Sequence, residues 1–307
     1  MLRRLRIPAA ALVLVAGAAL TAFTATGAAA AAQPAAAHPA TAHSAVTHTS
    51  AARTITVTLR TAKGTRTERT VSVPTSVRSG GTALHLIKPD TKLGAHSGMR
   101  HETSSENWSG YAADSGTYTS VSASWVQPTG TCGGNSDEYS SFWVGLDGYT
   151  SSSVEQTGTD TDCDGGSPSY YGWYETYPNP SYSFGDTVNP GDTITATVTS
   201  QGNGNFEYTL ADQTQNWSVS TQQSEPGAQL SSAEVIVEAP CCTDSGGILP
   251  LADFGTANFS NSQVDGSPIG DSNPEQIIMV DGNGNQQDSV SALSDNENWS
   301  ATWMSSN

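Results

Sequence analysis

The sequence predicts an all-β fold, an antiparallel β-sandwich over residues 104–307, and three observations carry that reading. From Asn107 onward, apolar and polar residues alternate with a period of two, so each segment offers one face to a core and one away from it. Clusters of Gly, Asn and Asp separate these segments at hairpin spacing. No stretch of the region carries the 3.6-residue period of an amphipathic helix. A sandwich is preferred to a barrel because several strands put apolar side chains on one face and acids with aromatics on the other.

The segments before this region differ in kind. Residues 1–30 combine Arg3, Arg4 and Arg6 with an apolar run from Ile7 to Phe23 and small residues at Ala28 to Ala30, the pattern of a secretory signal peptide. Residues 31–52 are an Ala, His, Pro and Thr mixture too polar and too simple to build a core. "TITVTLRTAKGTRTERTVSVP" then alternates β-branched and basic residues around Lys63-Gly64, which reads as a hairpin. Residues 31–103 are therefore expected to be a basic, partly disordered prosegment, and the protein to be secreted and monomeric.

Within the sandwich region the strands follow in order. "SVSASWV" places Val121, Ala123 and Trp125 on one face, "DTITATVTS" alternates likewise, and "GNGNFEYTLAD" opens on an Asn-Gly turn. "GILPLADFGTANFS", "EQIIMVDGNGNQQDSVSAL" and "NWSATWM" continue the pattern. "DGNGNQQD", residues 281–288, has a superficial likeness to a calcium loop but lacks its spacing and closing Glu, so it reads as a turn. Asn107, Asn216, Asn258 and Asn298 stand in N-x-S sequons.

Charge divides the chain. All 12 Lys and Arg lie at or before Arg100, whereas residues 101–307 hold 27 of the 29 carboxylates, no Lys or Arg, and only His101. Such a region repels polyanions, so neither nucleic acid nor an anionic membrane is expected as a partner. It also lacks the His of a Ser-His or Cys-His pair, the ligands of an ordinary zinc site and the cations of a phosphate clamp. No metal and no cofactor are expected. Asp, Glu and Tyr remain for acid-base work, helped by neutral amides. Like-charge crowding should raise carboxylate pKa values and favour acidic conditions, giving a domain that weakens toward neutrality.

Four cysteines suit an oxidising compartment, with three ways to pair them. Cys132 with Cys163 is favoured, since the two bracket a predicted strand pair, which leaves Cys241 and Cys242 as a vicinal bridge.

The pleat also shows which polar groups share a face. In "SFWVGLDG", Phe142, Val144 and Leu146 oppose Trp143 and Asp147; in "YYGWYETY", Trp173, Glu175 and Tyr177 align; in "AEVIVEAP", Glu234 and Glu238 face away from Val235 and Val237; and in "SSSVEQTGTD", Gln156 aligns with Asp160. Such a surface is read as a solvated outer face, as a lectin-like sugar-binding module, as a glycosidase pairing Glu175 with Glu238, or more generally as a cleft, since large aromatics stand beside the acids.

Taken as a set, "NWSGYAA", "TSVSASWVQP", "FWVGLDG", "VEQTGTD", "YYGWYETYP", "AEVIVE" and "LADFGTANF" resemble, in order, the landmarks of the eqolisins, the glutamic peptidases. The resemblance implies a sandwich of two seven-stranded sheets, a prosegment, and acid cleavage of protein or peptide substrates by a Gln and Glu dyad. Matched block by block, the dyad is Gln156 and Glu238, the latter placed ahead of Glu234 because it closes its block. Trp143, Asp147, Asp160, Trp173, Glu175, Tyr177 and Glu234 are the expected substrate-binding neighbours. Val235 stands where the block usually has tryptophan. On this reading the prosegment is also a partner, its nine Lys and Arg covering the acidic domain until acid releases it.

Overall fold

The structure is a computed structural model that describes residues 52–60, 66–74, 102–133, 137–240 and 248–306. The expected signal peptide, most of the expected prosegment and the expected Cys241–Cys242 bridge lie outside the described residues. Within the region expected to be a prosegment, β1 (Ala52–Arg60) and β2 (Arg66–Pro74) pair antiparallel in unbroken register, as the alternation predicts.

Among its described residues the sandwich region holds sixteen strands and one short 3-10 turn, Ile269–Ser272. One sheet runs in the order β3 (Glu102–Ser105), β16 (Glu275–Met279), β4 (Trp108–Ala113), β13 (Ala233–Glu238), β6 (Glu138–Leu146), β7 (Val154–Asp164), β8 (Ser167–Tyr177) and β9 (Tyr182–Thr187). The other runs β12 (Trp217–Ser224), β11 (Asn205–Asp212), β10 (Thr193–Gly202), β5 (Ser120–Val126), β14 (Thr256–Val264), β18 (Trp299–Trp303) and β17 (Asp288–Val290), with the two-residue β15 (Ser267–Pro268) beside β14. Each sheet thus counts eight strands where the resemblance implied seven. The short β3, which pairs parallel to β16, and the brief β15 are included in those counts.

Local chemistry sets the hairpins. Asn203 and Gly204 both take positive φ between β10 and β11, as Gly165 and Gly166 allow between β7 and β8. Consecutive positive values at Asn203-Gly204 and at Gly165-Gly166 are those of two-residue turns whose twist matches the strands they join. Asp281 gathers the amides of Asn283 and Asn285, so residues 281–285 form a turn, as predicted.

Between the sheets lies the main core. Phe142, Val144, Leu146, Val235 and Val237 from one sheet meet Val121, Trp125, Ile194, Val198, Phe206 and Leu210 from the other. Phe259 stacks on Trp299 at 4.2 Å. Three threonines of β7 also point inward, and their hydroxyls are satisfied: Trp125 Nε1 donates to Thr159 and Gln127 Nε2 to Thr161, both at 3.0 Å, while Thr157 donates to the Trp173 carbonyl. The expected Cys132–Cys163 disulfide is formed, with Cα atoms 5.4 Å apart.

Two inward acids break the apolar rule. Glu155, opposite Leu146 and Thr176, has both carboxyl oxygens buried with no hydrogen-bond partner among the described residues. Burial pushes its carboxyl up to about 9, and the nearby Asp147 charge adds to that against the Ser153 hydroxyl. Asp288 accepts a very short hydrogen bond from Ser109, yet burial still raises it to about 7.

Candidate active site

The outer face of the first sheet carries the site, and the strand register arranges it as a grid. One rung reads Glu234, Gly145, Gln156, Glu175 across β13, β6, β7 and β8. The next reads Ile236, Trp143, Gly158, Trp173, and the third reads Glu238, Ser141, Asp160, Tyr171. Every member of the first rung that bears a polar side chain is without solvent exposure.

The two candidate acids are separated by this register. Glu234 and Gln156 share a rung with one strand between them, which places their Cα atoms roughly 10 Å apart at ordinary strand spacing. Glu238 lies four residues further along, a separation from Gln156 of roughly 17 Å by the same spacing and rise. Between Glu234 and Gln156 stands Gly145, where a Cβ would come within 2.8 Å of the Trp143 ring and 3.3 Å of Gln156 Cβ. The glycine leaves open the floor over which the two side chains can lean.

Their hydrogen bonding differs as much as their position. Both carboxyl oxygens of Glu234, and Gln156 Oε1, are buried without a hydrogen-bond partner among the described residues. Burial pushes the Glu234 carboxyl well above the usual range; the Asp147 and Glu155 charges add to this, and the Ser232 hydroxyl and Tyr149 backbone N–H oppose it without reversing it. Glu238 is engaged: Trp143 Nε1 donates to its Oε2 at 2.8 Å and Asn107 Nδ2 to its Oε1 at 3.1 Å. The sequence-based preference for Glu238 as the acid of the pair therefore does not match the register, because Glu234 is the one that shares a rung with Gln156.

The second rung is a wall of tryptophans. Trp143 is held by Glu238, and Trp173 Nε1 donates to Asp160 Oδ1 at 2.6 Å. Trp108 packs edge-on against Trp143 with centroids 4.9 Å apart, and Ile236, Tyr177 and Val154 complete the cluster. Gly158 lets the two indoles flank the strand: a Cβ there would lie 2.1 Å from the Phe142 carbonyl oxygen and 2.6 Å from Trp143 Cβ. Backbone cannot yield as a flexible side chain would, so Gly158→Ala is expected to cost about 3 kcal/mol in denaturant unfolding at acid pH. An unchanged unfolding midpoint would show that this close approach is absent.

Asp147 departs from its expected place. Strand β6 ends at Leu146, and Asp147 takes φ 64°, which turns it out of the pleat. Its carboxylate accepts the backbone N–H groups of Gln229, Leu230 and Ser231 at 2.7–2.8 Å, with the Ser151 and Ser231 hydroxyls. It anchors the loop that leads into β13 and Glu234. Asp160, Trp173, Glu175 and Tyr177 do gather on the predicted face. Asn107, Trp108 and Tyr171 were missed as site residues, although the alternation of "NWSGYAA" and "YYGWYETY" contains them. Tyr171 donates its hydroxyl toward Asp160 Oδ2 and Asp162 Oδ2 at 2.8 and 2.9 Å.

Comparison with known proteins decides the family, since the Peptidase A4 family matches residues 106–303. The chain belongs to this family. Its relatives include aspergillopepsin-2 of Aspergillus niger, 32% identical over 60% of this chain and 72% of that one, and scytalidopepsin B of Scytalidium lignicola, 31% identical over 59% and 73%. Among solved structures, scytalido-glutamic peptidase with a transition state analog inhibitor superposes with a TM-score of 0.57 at 26% identity, covering 65% of this chain and 98% of that one. A second structure of it, with a peptide-based analog, gives 0.56 at 27%, with the same coverage of 65% and 98%. The eqolisin resemblance and its β-sandwich are thus borne out. This eqolisin is a glutamic peptidase, a hydrolase, and the lectin-like and glycosidase readings of its face fall away.

Proposed function

We propose that this eqolisin is a secreted acid endopeptidase, made as a zymogen, in which Gln156 and Glu234 form the catalytic dyad. The observation that carries the pairing is the shared rung: three buried oxygens, two on Glu234 and one on Gln156, lack hydrogen-bond partners among the described residues on either side of Gly145. A single water bonded to both groups spans a gap of about 5.5 Å, two hydrogen-bond lengths. Trp143, Trp173, Tyr177 and Asp160 would line the cleft around the peptide, and Asp147 would serve by holding the loop before β13. The peptide-based analog bound by scytalido-glutamic peptidase supports a peptide as substrate.

The chemistry follows from the raised pKa of Glu234. In acid the group is a neutral carboxyl, which holds a proton on one oxygen and can accept one on the other. As water attacks the peptide carbonyl carbon, Glu234 gives its proton to the carbonyl oxygen and takes one from the water. It then protonates the leaving nitrogen and recovers a proton from a hydroxyl of the tetrahedral species as the C–N bond breaks. Such proton transfer contributes about 10²- to 10⁴-fold. The Gln156 carbonyl holds the water, and an N–H of the same amide meets the oxygen on which charge develops, worth about 10²- to 10³-fold. An amide does both without adding a negative charge to a site already crowded with acids.

The leader at residues 1–30 supports export, and the nine Lys and Arg of residues 31–100 support a prosegment that pairs with the acidic domain near neutrality. The test is to move purified precursor to pH 3, follow its size, and assay denatured casein at pH 3–4 with pepstatin present. Processing to a shorter chain with pepstatin-resistant cleavage is expected; an intact precursor with no cleavage would contradict the proposal.

A further inference from the structure

We propose that Glu175 is a positioning residue that fixes which end of the Gln156 amide faces Glu234, and that its protonation sets the acidic limit of activity. The inference rests on the dyad reading above. Glu175 and Gln156 stand directly opposite one another on β8 and β7, both fully buried, and Gln156 Nε2 donates to Glu175 Oε2 at 2.6 Å.

The two ends of an amide are nearly equal in shape and opposite in hydrogen bonding, so its orientation is set by its partners. An ionised carboxylate can only accept. Glu175 in that form claims one N–H of Gln156, turns the carbonyl oxygen away and leaves the second N–H available. This matches the state of Oε1, which has no hydrogen-bond partner among the described residues. It also matches what the reaction needs, a carbonyl for the water and an N–H for the developing oxyanion.

Protonated Glu175 reverses the preference. Its O–H can donate to Oε1, the amide turns over, and the carbonyl that should hold the water is spent on Glu175. The titratable groups nearest Glu175 are Tyr177 on its own strand, Glu155 beside Gln156 on β7 and Glu234 along the rung on β13, with Tyr208 behind the sheet bonded to Thr176 at 2.7 Å. Tyr208 feels the Glu175 charge through the sheet. The two limbs of the pH profile then belong to different residues: Glu234 must keep its proton and Glu175 must be without one.

The test compares kcat, KM and pH profiles of acid-activated wild type, Glu175→Leu, Glu175→Gln and Gln156→Ala on one peptide substrate. Glu175→Leu removes the acceptor and is expected to lower kcat by about 10-fold or more, the scale of a misplaced donor, with little change in KM. Glu175→Gln is close in shape, can still accept from Nε2 and does not titrate. It is expected to retain most of kcat and to lose the acidic limb, and it carries the test alone if the leucine variant fails to fold. Wild-type kcat in Glu175→Leu, an acidic limb unchanged in Glu175→Gln, or a wild-type profile with no acidic limb would each overturn the proposal. Wild-type activity in Gln156→Ala would instead overturn the dyad reading, so the two failures are distinguishable.

Discussion

Glu234→Gln is expected to lower kcat on denatured casein at pH 3–4 by on the order of 10³-fold, the scale of a lost proton carrier. Glu238→Gln is expected to fall by no more than about 10-fold, because its substituted amide can still accept the Trp143 indole N–H that Glu238 accepts now. The contrast matters more than either value. Both acids lie on one face of β13, both are fully buried, and they differ in what they meet across the sheet: Glu234 has Gly145 beside it and Glu238 has Ser141. A buried acid held by an indole and an asparagine has its oxygens committed, whereas Glu234 is met only by the weaker contacts of the Ser232 hydroxyl and the Tyr149 backbone N–H. The reverse ranking of the two variants would return the catalytic acid to Glu238.

The second large effect is on stability. Glu155→Gln is expected to raise stability by about 3 kcal/mol at pH 7 and to leave it nearly unchanged at pH 4, read by unfolding at both pH values. The folded carboxyl, pushed up to about 9, lies well above its unfolded value near 4.5. Below that unfolded value the carboxyl is neutral in both states and costs the fold nothing extra. As pH rises toward the folded value, the unfolded chain ionises freely while the folded one must keep a proton or bury a charge, and stability is lost. For a region of this size the gain corresponds to roughly 10 °C in Tm at neutrality. Asp288, raised to about 7, and Glu234 act in the same direction. The wild-type protein should therefore melt at a higher temperature at pH 4 than at pH 7. A glutamine variant that is no more stable at pH 7 would mean that Glu155 ionises at little cost in the folded protein.

Much of this was legible in the sequence because a strand writes its faces two residues apart. Trp173, Glu175 and Tyr177, or Gln156 and Asp160, fall on one side whatever strand they pair with, and the structure keeps them there. Turn chemistry was legible for the same local reason, as Asn203-Gly204 illustrates. What the alternation cannot state is which strands are neighbours. β13 inserts between β4 and β6, pairing residues as distant as Glu238 and Trp108, and no period in the chain encodes that choice. Glu234 and Glu238 are four apart and therefore indistinguishable by face; only the register against β6 separates them. Asp147 was misplaced because the parity was carried one residue past the end of β6, into a left-handed residue where it no longer applies. Asn107 and Trp108 were overlooked as site residues because their partner, Glu238, arrives from more than a hundred residues away.

The central claim is that one water sits between Gln156 and Glu234 over Gly145. A high-resolution crystal structure of the acid-activated protein without inhibitor tests it most directly. The account predicts an ordered water within about 3 Å of both Gln156 and a Glu234 carboxyl oxygen. A water held instead by Glu238, or side chains of Gln156 and Glu234 turned apart with their gap closed, would contradict it.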